Sequence, residues 1–191
     1  KASGQRLASF AGQPAKKAGW FSACGYCGLH MEKNNNFING QWVPAHGGAT
    51  VTVRNPADTR EVVAEYPVSG REDASRAIEA AVQSQGAWAA MTPVARGRIL
   101  SKASQILEGR KDRLAEALTR EEGKTLGESL GEVQRAVDIF RFYGGISYVL
   151  GGRTIPHDAP NNLLYTVRQP LGVVAMITPW NFPIAIPAWK L

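Results

Sequence analysis

The stretch "ITPWNFPIAIPAWKL", Ile177–Leu191, decides how the rest of the chain is read. It closes a longer run, Leu171–Trp189, of nineteen residues without a charge. That is close to the ~20 apolar residues a membrane helix needs. The content argues against a span. Pro179, Pro183 and Pro187 each lack a backbone donor, and Asn181 sets an amide at the centre. In hydrocarbon every unsatisfied backbone group costs several kcal/mol. The apolar run Val173–Ile177 reads instead as a strand buried on both faces. A proline-braced turn follows, then a helix starting near Pro183, with Pro187 close enough to that start to be tolerated. Strand, loop and helix N-terminus in this order is where open α/β folds place ligands.

Working outward, the bulk numbers set limits. With 191 residues, the chain is long enough for one domain with a real core or for part of a larger fold. Its 44% hydrophobic and 20% charged residues are ordinary for a globular protein. The net charge of +6 is not concentrated. Residues 1–30 hold Lys1, Arg6, Lys16 and Lys17 and no acid, whereas the remainder has 18 basic against 16 acidic residues. A nucleic-acid surface needs a basic stripe, and none is present. Cys24 and Cys27, in "CGYC", lack the further ligands a zinc site requires, since His30, His46 and His157 show no ligand spacing. No metal site is expected. The pair reads as incidental thiols, and without a disulfide framework the cysteines give no argument for secretion; a cytoplasmic location is the expectation. Residues 1–30 have no hydrophobic periodicity and no apolar signal-peptide core. They are read as a disordered, non-native-looking extension, with Met31 as the natural start of the folded portion, residues 31–191.

The pattern after Met31 is regular. "FINGQWV" is a hairpin signal, because Asn39-Gly40 suits a type I′ turn. "TVTVRNP" and "EVVAEYPV" are β-branched runs on either side of the turn "PADT". An antiparallel layer therefore opens the fold. Four helices follow. Ser69 with Glu72 is a capping box, with Ala74, Ile78, Ala81 and Val82 at helical spacing behind it. Thr92-Pro93 is an N-cap followed by proline at the first helical position, with the stripe Ile99, Leu100, Ala103, Ile106 and Leu107. A shorter helix near Asp112–Glu122 is stopped by Gly123. Thr125 with Glu128 is a second capping box, and Leu130, Val133, Val137 and Phe140 form that helix's buried face as far as Gly144-Gly145. Strands return at "RTIP" (153–156) and "LLYTVRQP" (163–170). No G-x-G-x-x-G, P-loop, G-x-S-x-G or H-E-x-x-H occurs.

"PWNFP" after an apolar strand, followed by "PAWKL", closely resembles the aldehyde dehydrogenase superfamily. The order "FINGQWV", "NPADTREVVAEYPV", "EEGKTLGES", "YTVRQPLGVVAMITPWNFP" agrees with it across essentially all of Met31–Leu191. The "INGQW" segment and charge pattern look most like the semialdehyde-oxidising branches, α-ketoglutaric semialdehyde dehydrogenases among them. The resemblance implies an α/β fold in which antiparallel strands and four helices lead into the first strand of a parallel dinucleotide-binding sheet, incomplete within these residues. It implies NAD or NADP as cofactor and a small-molecule aldehyde as substrate. It implies a homo-oligomer, dimer or tetramer, for the full-length enzyme, with neither nucleic acid nor membrane as partner. The family forms a cysteine thioester, passes hydride to the nicotinamide and hydrolyses the thioester with a glutamate-activated water.

By that resemblance Asn181 is the side-chain half of the oxyanion hole; a carboxamide donates hydrogen bonds without titrating. Ile177, Thr178, Pro179 and Trp180 would line the cofactor cleft, Phe182 would face the substrate tunnel, and Lys190 matches a lysine with a proposed part in proton relay. Taken alone, Asn181 equally suits a helix cap, Trp180 and Phe182 suit core packing, and Lys190 suits solvent. Glu121, Glu122, Glu128 and Glu132 read as solvated faces and caps. Arg141 reads as a surface residue, with an acidic substrate as the alternative partner. The family's cysteine and base glutamate lie well downstream of its "PWNFP", so the chain is read as an N-terminal portion, inactive alone. Two alternatives stand beside this: a non-catalytic oligomerisation fragment, pairing through exposed edge strands, and an acyl-reductase relative on the same scaffold.

Overall fold

The protein is described by a computed structural model covering residues 32–191, so the readings of residues 1–30, of Cys24 and Cys27 and of Met31 lie outside the described residues. Five strands come first: β1 (Glu32–Lys33), β2 (Asn36–Ile38), β3 (Gln41–Val43), β4 (Thr50–Asn55) and β5 (Asp58–Pro67). β2 and β3 form the anticipated hairpin, with Ile38 opposite Gln41. Asn39 and Gly40 sit at φ 52° and 74°, the positive values a type I′ turn demands. β4 and β5 pair antiparallel, while β1 adds a short parallel edge to β5. Between β4 and β5, the Asn55 carboxamide oxygen accepts the Ala57 amide at 2.9 Å, a local bond that closes the turn.

The helices are α1 (Arg71–Ala90), α2 (Pro93–Glu108), α3 (Lys111–Glu122) and α4 (Leu126–Gly145). Thr92 caps α2 by accepting the Ala95 amide at 3.2 Å. The α4 capping box also forms: Glu128 takes the Thr125 amide at 2.9 Å, and the Thr125 hydroxyl takes the Glu128 amide. The α1 cap differs from expectation by one residue. Gly70 is the N-cap, and Asp73, not Glu72, accepts its amide at 3.0 Å. Ser69 is engaged elsewhere, with its hydroxyl 2.8 and 3.1 Å from the two ends of the Asn36 carboxamide on β2. A tertiary partner has displaced the local one. The apolar stripe of α1 also stays uncovered, with Ile78 and Val82 more than half exposed, because no described element lies over it.

α4 is the centre of the packing. Val133, Ala136 and Val137 are fully buried, and α2, α3 and the last helix, α5 (Ala185–Lys190), pack around it. Its approach to α2 is very close. A Cβ on Gly97 would stand 2.4 Å from the Gly144 carbonyl oxygen. Nearby, the Ser104 hydroxyl donates to the Val137 carbonyl at 2.9 Å. The β-layer is fixed to α3 through Arg120, whose Nε donates to Glu61 at 2.9 Å, and through the Tyr66 hydroxyl, 3.1 Å from Glu121.

The region after α4 departs most from expectation. A 3₁₀ turn (Ile146–Tyr148) leads to β6 (Thr154–Ile155) and β7 (Leu164–Tyr165), a two-stranded pair shorter than the runs 153–156 and 163–170. The strand anticipated at Val173–Ile177 does not form; this segment is exposed coil, with Ile177 93% exposed. Its apolar side chains fit a parallel sheet, but such a strand exists only through neighbours, and no described strand runs beside it. The helix anticipated near Pro183 does form, as α5 with Pro187 in its first turn.

Candidate functional site

Between α3 and α4 the chain turns through Gly123, at φ 87°. A Cβ there would meet Pro56 Cγ at 2.6 Å, so glycine satisfies both the left-handed backbone and the contact with the β4–β5 turn. The next residue is Lys124. Its ammonium donates to Glu132 Oε2 at 2.6 Å and to the backbone carbonyl of Asn181 at 3.0 Å, and it lies 4.6 Å from the centre of the Phe182 ring. Glu122 Oε2 stands 3.0 Å from the same ammonium and has no other partner among the described residues. Burial pushes the Lys124 ammonium down, but its contacts with Glu132 and Glu122 outweigh that, and its pKa is raised.

Glu132 is the anchor. Its side chain is wholly inaccessible, and its Oε1 accepts the amides of Ile184 at 2.8 Å and Ala185 at 3.1 Å. A carboxylate at a helix N-terminus is favoured by both the unpaired amides and the dipole. Here it is supplied by another helix, so one side chain ties α5 to α4. This corrects the reading of Glu132 as a solvated face. The signal was available: Ser129, Glu132, Ala136 and Ile139 follow helical spacing along the buried stripe of α4. Lys124 carried no comparable signal. Glu128 is the cap it was taken for, and Arg141 is exposed and paired with Glu108 at 2.9 Å.

These contacts frame a cleft of about 730 Å³ between α4, α5 and the α3–α4 turn, within the range of small-molecule sites. Its lining includes Lys124, Glu132, Arg135, Asn181, Phe182 and Trp189. Arg135 is exposed and has no carboxylate partner among the described residues. Of the anticipated site residues, Asn181 and Phe182 therefore come together. Lys190 does not join them; it lines a separate cavity of about 370 Å³ with Phe140 and Tyr143. Ile177, Thr178, Pro179 and Trp180 lie on the segment before α5 and line neither cavity. Ile177 and Trp180 are largely exposed and Thr178 is half-buried, and the indole offers a flat face that suits the edge of a nucleotide ring. The start of α5 has no spare amides for phosphate, because Glu132 occupies those of Ile184 and Ala185. These residues thus fit part of a dinucleotide, and its pyrophosphate would need other groups. Among the described residues no cluster of His, Cys, Asp and Glu could hold a metal ion, and no helix is long and apolar enough to cross a membrane.

Comparison with known proteins gives this geometry a context. Residues 42–191 match the model of the aldehyde dehydrogenase family. The chain is 49% identical over 160 residues to an alpha-ketoglutarate semialdehyde dehydrogenase of Haloferax volcanii, covering 84% of this chain and 33% of that protein. It superposes on the crystal structure of an NADP-dependent enzyme of E. coli with TM-score 0.77 and 34% identity, over 84% of this chain and 33% of the other. A putative methylmalonate-semialdehyde dehydrogenase of Sinorhizobium meliloti 1021, complexed with NAD, gives TM-score 0.76 and 35% identity, over 84% and 32%. The chain spans about a third of the length of these relatives. The "PWNFP" turn, the capped helices before it and the matched residues agree: the chain belongs to the aldehyde dehydrogenase family.

Proposed function

We propose that this chain supplies the oxyanion donor and one wall of the substrate cleft of an NAD(P)-dependent dehydrogenase that oxidises a semialdehyde to the carboxylic acid. The observation that carries this is the cleft itself, lined together by Asn181, Phe182 and an Arg135 that has no carboxylate partner among the described residues. Asn181 donates its carboxamide N–H to the oxygen that becomes negative when a thiolate adds to the aldehyde carbon. Phe182 and Trp189 shed water from the aldehyde chain. Arg135 offers a planar pair of donors to a carboxylate at the far end, as a semialdehyde of a dicarboxylic acid carries. NAD or NADP, when bound, accepts the hydride, and Ile177–Trp180 would hold its nicotinamide edge. Lys190 is assigned a supporting role in moving protons, from the other side of α5. The thiolate and the glutamate that activates water belong to the part of the relatives' length that this chain does not span. The 191 residues alone therefore give no aldehyde oxidation. The full-length enzyme is expected to be a cytoplasmic homo-oligomer.

The test is a chimaera in which these residues replace the matching third of the Haloferax volcanii relative. It should oxidise α-ketoglutarate semialdehyde with NAD or NADP. Arg135→Gln should raise KM for that substrate about tenfold or more, the worth of a charged hydrogen bond, and leave KM for an uncharged aldehyde of equal length within about twofold. Equal effects on both aldehydes would remove Arg135 from the assignment. Turnover by the 191-residue chain alone would overturn the division of labour.

A further inference from the structure

Most of the interface of α4 with its neighbours is apolar, built from Val133, Ala136, Val137 and Ile139. Buried hydroxyls interrupt it at Ser104 and Ser129, but buried charge enters where α4 meets the turn carrying Asn181. There the chain buries the Glu132 side chain completely and leaves only 12% of the Lys124 side chain exposed. Such a pair is a poor choice if only adhesion is needed, because desolvation consumes most of its attraction and apolar residues would hold as well. What it does provide is direction. The two oxygens of Glu132 are divided, Oε1 to the amides of Ile184 and Ala185 and Oε2 to Lys124. The Lys124 ammonium then reaches the Asn181 carbonyl. Residues 181–185 are thus held at both ends by one buried pair. Lys124 is itself held by the Gly123 turn, which rests on Pro56.

We propose that Lys124 and Glu132 are a positioning pair that aims Asn181 into the cleft, with Glu132 fixing the start of α5 and Lys124 fixing the Asn181 carbonyl. The pair touches no reacting atom in this assignment. Its importance to turnover rests on Asn181 being the oxyanion donor; its hold on residues 181–185 does not.

The test uses the ¹⁵N-labelled 191-residue chain and hydrogen exchange, which reads local opening residue by residue. In Glu132→Gln the amides of Ile184 and Ala185 should lose protection by about tenfold or more, as expected when a hydrogen bond to a charged group is weakened. Those of Val133 and Val137 should change less than about twofold. In Lys124→Met the Ile184 and Ala185 amides should keep most of their protection, while the resonances of Asn181 and Phe182 shift. Lys124→Arg, which keeps the charge, should restore them in part. Loss of protection spread evenly through α4 would mean that the pair only stabilises the fold, and would overturn the proposal. Unchanged residues 181–185 in both variants would also overturn it. If Glu132→Gln does not fold, Lys124→Met decides by the same readout. In the chimaera, Glu132→Gln should lower kcat with little change in KM. Local opening without a fall in kcat would leave the positioning intact and sink the oxyanion assignment.

Discussion

Replacing Gly97 by alanine puts a methyl group where the α2–α4 crossing has no room. The new Cβ would stand 2.4 Å from the Gly144 carbonyl oxygen and 3.1 Å from Ser147 Oγ. The first obstacle is backbone at the C-terminal end of α4 and not a flexible side chain, so relief requires that end to move away from α2 by roughly 1 Å, and overpacking of this kind costs about 1–3 kcal/mol. Alanine also gains about 1 kcal/mol of helix propensity over glycine. With the clash at the upper end, the net loss is about 2 kcal/mol, or a fall in Tm of about 4–8 °C for a domain of this size. Gly86, exposed in α1 with nothing within 4 Å of its Cβ position, is the control. There the same substitution keeps only the propensity gain and should raise Tm by about 2–4 °C. Thermal unfolding followed by circular dichroism measures both. A Gly97→Ala chain as stable as the parent, or two substitutions with the same sign, would refute the close approach as described.

Ser104→Ala removes the buried hydroxyl that donates to Val137 and should cost about 1 kcal/mol, read as a shift of the urea midpoint without a change in slope. Acid should weaken the link between the β-layer and α1. The Gly70 amide holds the Asp73 carboxyl below the usual carboxylate range, outweighing burial, and the His46 amide adds to it. A depressed carboxyl stabilises the fold above its unfolded pKa of about 3.9, and that share is lost as pH falls through the lower folded value. Asp73→Asn should therefore flatten stability against pH below about pH 4; an unchanged acid limb would show that Asp73 contributes nothing.

The sequence revealed those features whose cause is local. Asn39-Gly40, Thr92-Pro93 and the Thr125–Glu128 box each contain both partners within a few residues, and all three form. Asn181 and Phe182 are neighbours in the contiguous "PWNFP", and both line one cleft. What escaped depends on distant partners. Ser69 gave up its capping role to Asn36, 33 residues away. Glu132 looked solvent-facing because the amides it binds lie 52 and 53 residues further on. Val173–Ile177 has the composition of a buried strand but no ladder among the described residues, since strand identity belongs to the neighbours as much as to the segment. Lys190 fell outside the cleft because it lies on the face of α5 turned toward Phe140 and Tyr143.

Asn181→Ala in the chimaera shows whether Asn181 stabilises the developing negative charge. kcat for semialdehyde oxidation should fall by about 10²–10³, with KM changed less than about threefold, as for removal of one oxyanion donor. A kcat within about threefold of the parent would mean that Asn181 is not the oxyanion donor.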